Sequence, residues 1–320
     1  MGVRQIRATS GDIFATLIGE ALIPNVDSEI PYYLYAADYD DGGTLKKLER
    51  DGTVIETYFT PSTNPEEFRN GYYYTEEWDG SNTIIHKRDA TTGNLEWTYP
   101  QRPRYNLKAD KNNNVYFDTS DDDLYKLDPD GNLEWVFTES FNYFSDYFWD
   151  FCIDKDGFVY AGNSTSLFKI SPTGDEVWES YLAGDAWTVD VDGDGNTYVG
   201  HNDRTVIKLD PNGDEIWESA ALGAQLEQIA VSRDGSFICV TSTSGGWVKG
   251  LDGDGVEVWN QNHGQANANL SGWVIMAPDG HAYYQATYNS NPDGSVRRID
   301  IDNNNTSLPG VPYIFNIGNS

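Results

Sequence analysis

The chain has 320 residues, with 21 Lys and Arg against 51 Asp and Glu, a net charge of −30. Such a surface repels nucleic acid and anionic lipid, and no apolar run is long enough to cross a bilayer as a helix. Ten Trp, 21 Tyr and 31 Gly instead describe short strands joined by tight turns.

In chain order, residues 1–28 read as an N-terminal arm, part of which could close a ring of strands or join two copies of the chain. Met1 to Glu20 lacks the long apolar stretch and small-residue cleavage site of a secretory leader, so export by the general route is not expected. Residues 29–320 carry repeats. Tyr32 to Phe59 is a first unit, with Leu45-Lys46-Lys47-Leu48 before an Asp51-Gly52 turn.

The next five units end alike, in Asp89-Ala90-Thr91-Thr92-Gly93-Asn94-Leu95-Glu96-Trp97 and its counterparts before Trp135, Trp178, Trp217 and Trp259. These Trp are spaced by 38, 43, 39 and 42 residues, the length of a four-stranded propeller blade. The unit from Trp187 to Ala220 shows the pattern, with strands at Trp187–Val191, Asn196–Val199, Thr205–Asp210 and Glu215–Ser219. A last unit runs from Pro278-Asp279-Gly280 through Val296 to Ile301. The prediction is an all-β, seven-bladed β-propeller of four-stranded antiparallel blades, with six or eight as alternatives. Either Val3 to Ala8 or Val311 to Ile317 should supply the outer strand of the last blade.

The repeated Asp, Thr-Gly turn and Trp resemble the tryptophan-docking motif of pyrroloquinoline-quinone-like propellers. That resemblance implies that Trp97, Trp135, Trp178, Trp217 and Trp259 dock one blade on the next. Quinoprotein dehydrogenases of this family hold a vicinal Cys pair over the cofactor and calcium beneath it. Here Cys152 and Cys239 are far apart in apolar strands and read as buried free thiols, so the resemblance is to a non-enzymatic branch, with a quinoprotein oxidoreductase as the minor alternative.

Propeller geometry separates two faces. The turns joining strands one to two and three to four share one face, rich in Asp-Gly. Among them, Asp190, Asp192 and Asp194 have the spacing of a calcium loop, but Tyr198 and His201 stand where later ligands belong, and an ordinary hairpin turn is the alternative. No other cofactor is implied. The opposite, loop face carries Phe141 to Trp149 (including Tyr143, Tyr147, Phe148 and Trp149), a basic spot at Arg102 and Arg104, Trp187 at the start of a first strand, and the Asn/Gln-rich segment ending at Trp273. Aromatic rings among amides and hydroxyls suit a protein or glycan partner. The four His (His86, His201, His263 and His281) are scattered, and no nucleophile–base set is seen.

Together these features predict a non-catalytic interaction module. Its expected form is a virion surface or tail protein that contacts other virion proteins and a host surface. An intracellular or envelope-associated scaffold, with a cytoplasmic location, is the alternative. The acidity resembles that of proteins from extreme halophiles, whose self-repulsion is screened at molar salt.

Overall fold

A computed structural model describes residues 32–38, 44–59, 65–78, 83–104, 106–121, 123–138, 148–182, 184–242, 246–262, 274–285, 296–308 and 316–319. These residues form seven four-stranded antiparallel sheets, the blades of a β-propeller, and no helix. They fall into two compact units, 32–148 with 316–319, and 149–308.

The first unit holds three blades. The first blade is β1 (Tyr32–Asp38), β2 (Thr44–Leu48) and β3 (Val54–Phe59), the second β4 (Pro65–Arg69), β5 (Tyr72–Trp78), β6 (Thr83–Asp89) and β7 (Leu95–Tyr99). The third is β8 (Leu107–Ala109), β9 (Val115–Asp118), β10 (Asp123–Leu127) and β11 (Leu133–Thr138). The second unit holds the fourth blade, β12 (Asp150–Ile153), β13 (Val159–Gly162), β14 (Ser166–Ile170) and β15 (Glu176–Tyr181). The fifth is β16 (Ala186–Val191), β17 (Thr197–His201), β18 (Val206–Leu209) and β19 (Glu215–Glu218). The sixth is β20 (Leu226–Val231), β21 (Phe237–Ser242), β22 (Trp247–Asp252) and β23 (Glu257–Asn262). The seventh is β24 (Val274–Met276), β25 (Ala282–Gln285), β26 (Val296–Ile299) and β27 (Thr306–Ser307).

The terminal strand differs from expectation. β28 (Asn316–Asn319) pairs with the free edge of β1, from Tyr32 opposite Asn319 to Tyr35 opposite Asn316. The C-terminus therefore completes the first blade rather than the last, whose outer strand is β27. The alternative strand at residues 3–8, and the whole arm 1–28, lie outside the described residues.

Val206 packs in one apolar cluster and Ile207 and Leu209 in another, so both faces of β18 are buried. A blade's two faces each meet apolar side chains, which removes the polar-out half of the usual pattern.

The Asp-x-x-Gly turns follow from local hydrogen bonding. Asp210 Oδ1 accepts the N–H groups of Asn212 (2.8 Å) and Asp214 (3.0 Å), and its carbonyl accepts Gly213 N–H (3.0 Å). Gly213 has φ +88°, and a Cβ there would lie 2.9 Å from the Trp178 ring. Glycine is required twice, for the turn and for the docking indole. Trp178 Nε1 donates to the carbonyl of Pro211 (3.0 Å); Trp97 does the same to Pro129 (2.9 Å) and Trp217 to Gly253 (3.1 Å). Each indole also meets an aromatic ring of its own blade, Trp178 meeting Tyr160 at 6.2 Å and Trp135 meeting Tyr116 at 6.0 Å. Trp259 meets Phe237 of its own blade at 5.9 Å and packs in one apolar cluster with Val274 and Met276 of the seventh blade, and its ring also lies over Gly250, at the position where Lys208 faces Trp217 in the fifth blade.

Innermost strands have an edge with no strand partner, and their buried N–H groups need acceptors. Side chains of the preceding blade supply them. Asp150 Oδ2 accepts Val189 N–H (2.9 Å), Thr188 Oγ1 accepts Ile229 N–H (3.2 Å), and Gln228 Oε1 accepts Val274 N–H (2.9 Å). These three occupy the same register position in consecutive blades. Two residues further, Asp190 Oδ2 accepts Val231 N–H (2.8 Å).

Candidate interaction site

In the second unit, Trp149 precedes β12 and Trp187 lies in β16, each one residue before the position that bridges to the next blade. A register shift between Ala186 and Thr188 puts Trp187 in a bulge, which turns its side chain out of the regular alternation. The two indoles stack, with ring centroids 4.5 Å apart and planes at 30°. Both are half-buried, and Trp187 Nε1 has no hydrogen-bond partner among the described residues. Glu227 holds the corresponding place in the sixth blade and is exposed.

The outer strand of the fourth blade ends on the same face with Tyr181, 74% exposed, the most exposed large apolar side chain among the described residues. The loop between β17 and β18 adds exposed Asn202, Asp203 and Arg204, the last with φ +79°. His201 Nδ1 lies 2.9 Å from Asp203 Oδ1. Burial opposes ionisation of Asp203, but hydrogen bonds from Thr205 and His201 outweigh it and hold the carboxyl below its usual range.

Other candidate residues are placed elsewhere. Phe148 is 1% exposed and packs on Phe137 at 6.3 Å, so it is a core residue of the first unit rather than part of an accessible rim. Arg102 is exposed and Arg104 half-buried in the connection from β7 to β8, also in the first unit. Tyr143, Tyr147 and Trp273 lie outside the described residues.

Asp190, Asp192 and Asp194 do not converge. Asp190 is inside β16, bonded to the Val191 and Val231 N–H groups. Asp192 Oδ1 accepts Asp194 and Asn196 N–H, and its Oδ2 accepts Asn196 Nδ2 and Tyr198 OH, while Asp194 is exposed. The strand's end at Val191 splits the spacing between a blade bridge and a turn. Among the described residues, no three His, Cys, Asp or Glu side chains gather as a metal site. Cys152 and Cys239 are buried free thiols, and burial pushes the Cys239 thiol well up.

The comparisons with known proteins follow from this architecture. Residues 163–305 match the family model described as outer membrane protein assembly factor BamB. Over those residues the sequence is similar to a PQQ-like β-propeller repeat family. The crystal structure of BamB from Moraxella catarrhalis is similar with a TM-score of 0.58 at 14% identity, covering 89% of this chain and 85% of that one. A protein of unknown function from Bacteroides caccae is similar with a TM-score of 0.52 at 15% identity, covering 78% of this chain and 98% of that one. At these identities the likeness is one of fold. Comparison with curated proteins finds no match.

Proposed function

We propose that the chain is a non-catalytic interaction module that binds a protein partner through the loop face of its second unit and so organises a protein complex. The Trp149–Trp187 stack carries this reading. Half-exposed indoles leave apolar area in water, and Trp and Tyr are the side chains that most often anchor interfaces. Tyr181 extends the aromatic surface. The fold shared with BamB, whose family is described as an assembly factor, supports a scaffold role. The test compares the native complex of the wild-type chain with that of a Trp149→Ala/Trp187→Ala variant by cross-linking and size exclusion. Loss of the partner with the blades still folded supports the reading; an unchanged complex contradicts it.

A virion surface or tail protein that contacts a host is the second reading. It is favoured by the combination of indole faces, the Tyr181 hydroxyl and the exposed Asn202 amide on one face, which suits a glycan as well as a protein. On this reading the chain sediments with particles. Recovery only in particle-free fractions rules it out.

A further inference from the structure

One register position runs through three consecutive blades of the second unit: Trp149 in the fourth, Trp187 in the fifth and Glu227 in the sixth. Each precedes a residue whose side chain bridges to the next innermost strand, namely Asp150, Thr188 and Gln228. Trp187 and Glu227 both sit in a bulge of their strand and so leave the regular alternation. The fourth blade covers one face of the Trp187 indole with Trp149, at 4.5 Å. Where a third ring would continue the stack, the sixth blade carries an exposed carboxylate.

Elsewhere the chain joins a ring to a carboxylate with a lysine of its own. Lys249 Nζ is 5.0 Å from the Trp247 ring centroid and 2.6 Å from Glu257 Oε2. Lys126 Nζ is 5.6 Å from the Tyr116 ring centroid and 2.7 Å from Glu134 Oε2. Among the described residues, no Lys or Arg lies over Trp187. Arg204, in the loop between β17 and β18, is exposed and makes no ring or ion-pair contact among them. Asp185, Asp203 and Glu218 stand at the same end of the fifth blade, and the whole chain carries −30. Such a field draws cations in and speeds their association, and the negative face of an indole stabilises a cation placed over it.

We propose that the partner meets this site with a basic segment, one Lys or Arg side chain of which lies against the Trp187 indole and pairs with Glu227. The assignment rests on the partner reading above and gives that partner its charge.

Titration of the full chain with a short peptide carrying one Arg and one Lys, and with its twin carrying Gln at both places, tests the proposal. NMR shifts of the peptide, at constant ionic strength, give the dissociation constants. The basic peptide should bind and the Gln twin should not. Trp187→Leu should weaken binding about ten-fold and Glu227→Gln about four-fold. Asp194→Asn removes the same charge from the exposed turn face and should change binding less than about two-fold. Equal weakening by Glu227→Gln and Asp194→Asn would mean attraction to the net charge alone and overturns the proposal. Equal binding of the twin, or no binding of the basic peptide, overturns it too. If Trp187→Leu does not fold, the comparison of Glu227→Gln with Asp194→Asn decides. Such a failure leaves the partner reading standing as long as the native complex still depends on Trp149 and Trp187; a native complex indifferent to both indoles removes that reading, whatever the peptides do.

Discussion

The Asp190 carboxylate bridges two blades, taking the backbone N–H of Val231 at 2.8 Å on one oxygen and that of Val191 at 2.9 Å on the other. Asp190→Ala orphans both donors and should cost about 1.5–3 kcal/mol, whereas Asp194→Ala, on an exposed turn, should stay within about 0.5 kcal/mol. Urea unfolding measures both. Chelation should leave the midpoint unchanged. A calcium-dependent midpoint, lost in Asp194→Ala, would return these carboxylates to a metal-binding role.

The docking indoles give a graded series. Trp178→Phe keeps a ring but removes the bond to Pro211 and should cost about 1 kcal/mol. Gly213→Ala sets a Cβ into the same ring at positive φ and should cost more than about 1 kcal/mol. Equal stability of Gly213→Ala and wild type would show that the indole does not occupy this place in solution.

Acid should unfold the protein through its turns. Backbone N–H groups of Asp214 and Asn212 hold Asp210 below the usual carboxylate range, and the Thr92 N–H does the same for Asp89. A folded value below the unfolded one means stability that is complete above about pH 4 and is lost as pH falls through the depressed values. Tyr160 and Tyr198 act at the other end. Burial raises both hydroxyls, so stability should decline once pH passes about 10, where the unfolded chain ionises first. Chemical unfolding midpoints from pH 3 to 11 trace both limbs, and Asp210→Asn should flatten the acid limb slightly.

Two indoles stacked at 4.5 Å couple their electronic transitions. Near-ultraviolet circular dichroism should show a Trp couplet that disappears in Trp187→Phe, with little change in Tm. Its survival would mean that Trp149 and Trp187 do not stack in solution.

The net charge of −30 predicts a salt response. The screening length falls from about 30 Å at 0.01 M salt to about 3 Å at 1 M, so Tm should rise across that range. A flat profile counts against a surface adapted to high salt.

The blade count was legible in the sequence because each unit repeats a turn whose chemistry is local. Asp210 can reach only its own next N–H groups, and Gly213 must take positive φ wherever the hairpin forms. The docking role of Trp178 was legible for the same reason, as the indole recurs in five of the repeats and its receiving turn recurs with it. Spacing alone could not tell Asp190 from Asp192, because the end of a strand falls between them and sends one carboxylate to a neighbouring blade. Trp149 and Trp187 are 38 residues apart in the chain, and only blade packing stacks them, while the same packing buries Phe148. Local hydrogen bonding and backbone conformation are written in short stretches of sequence; the company a side chain keeps across blades is set by tertiary packing, and that decided where the candidate sites lie.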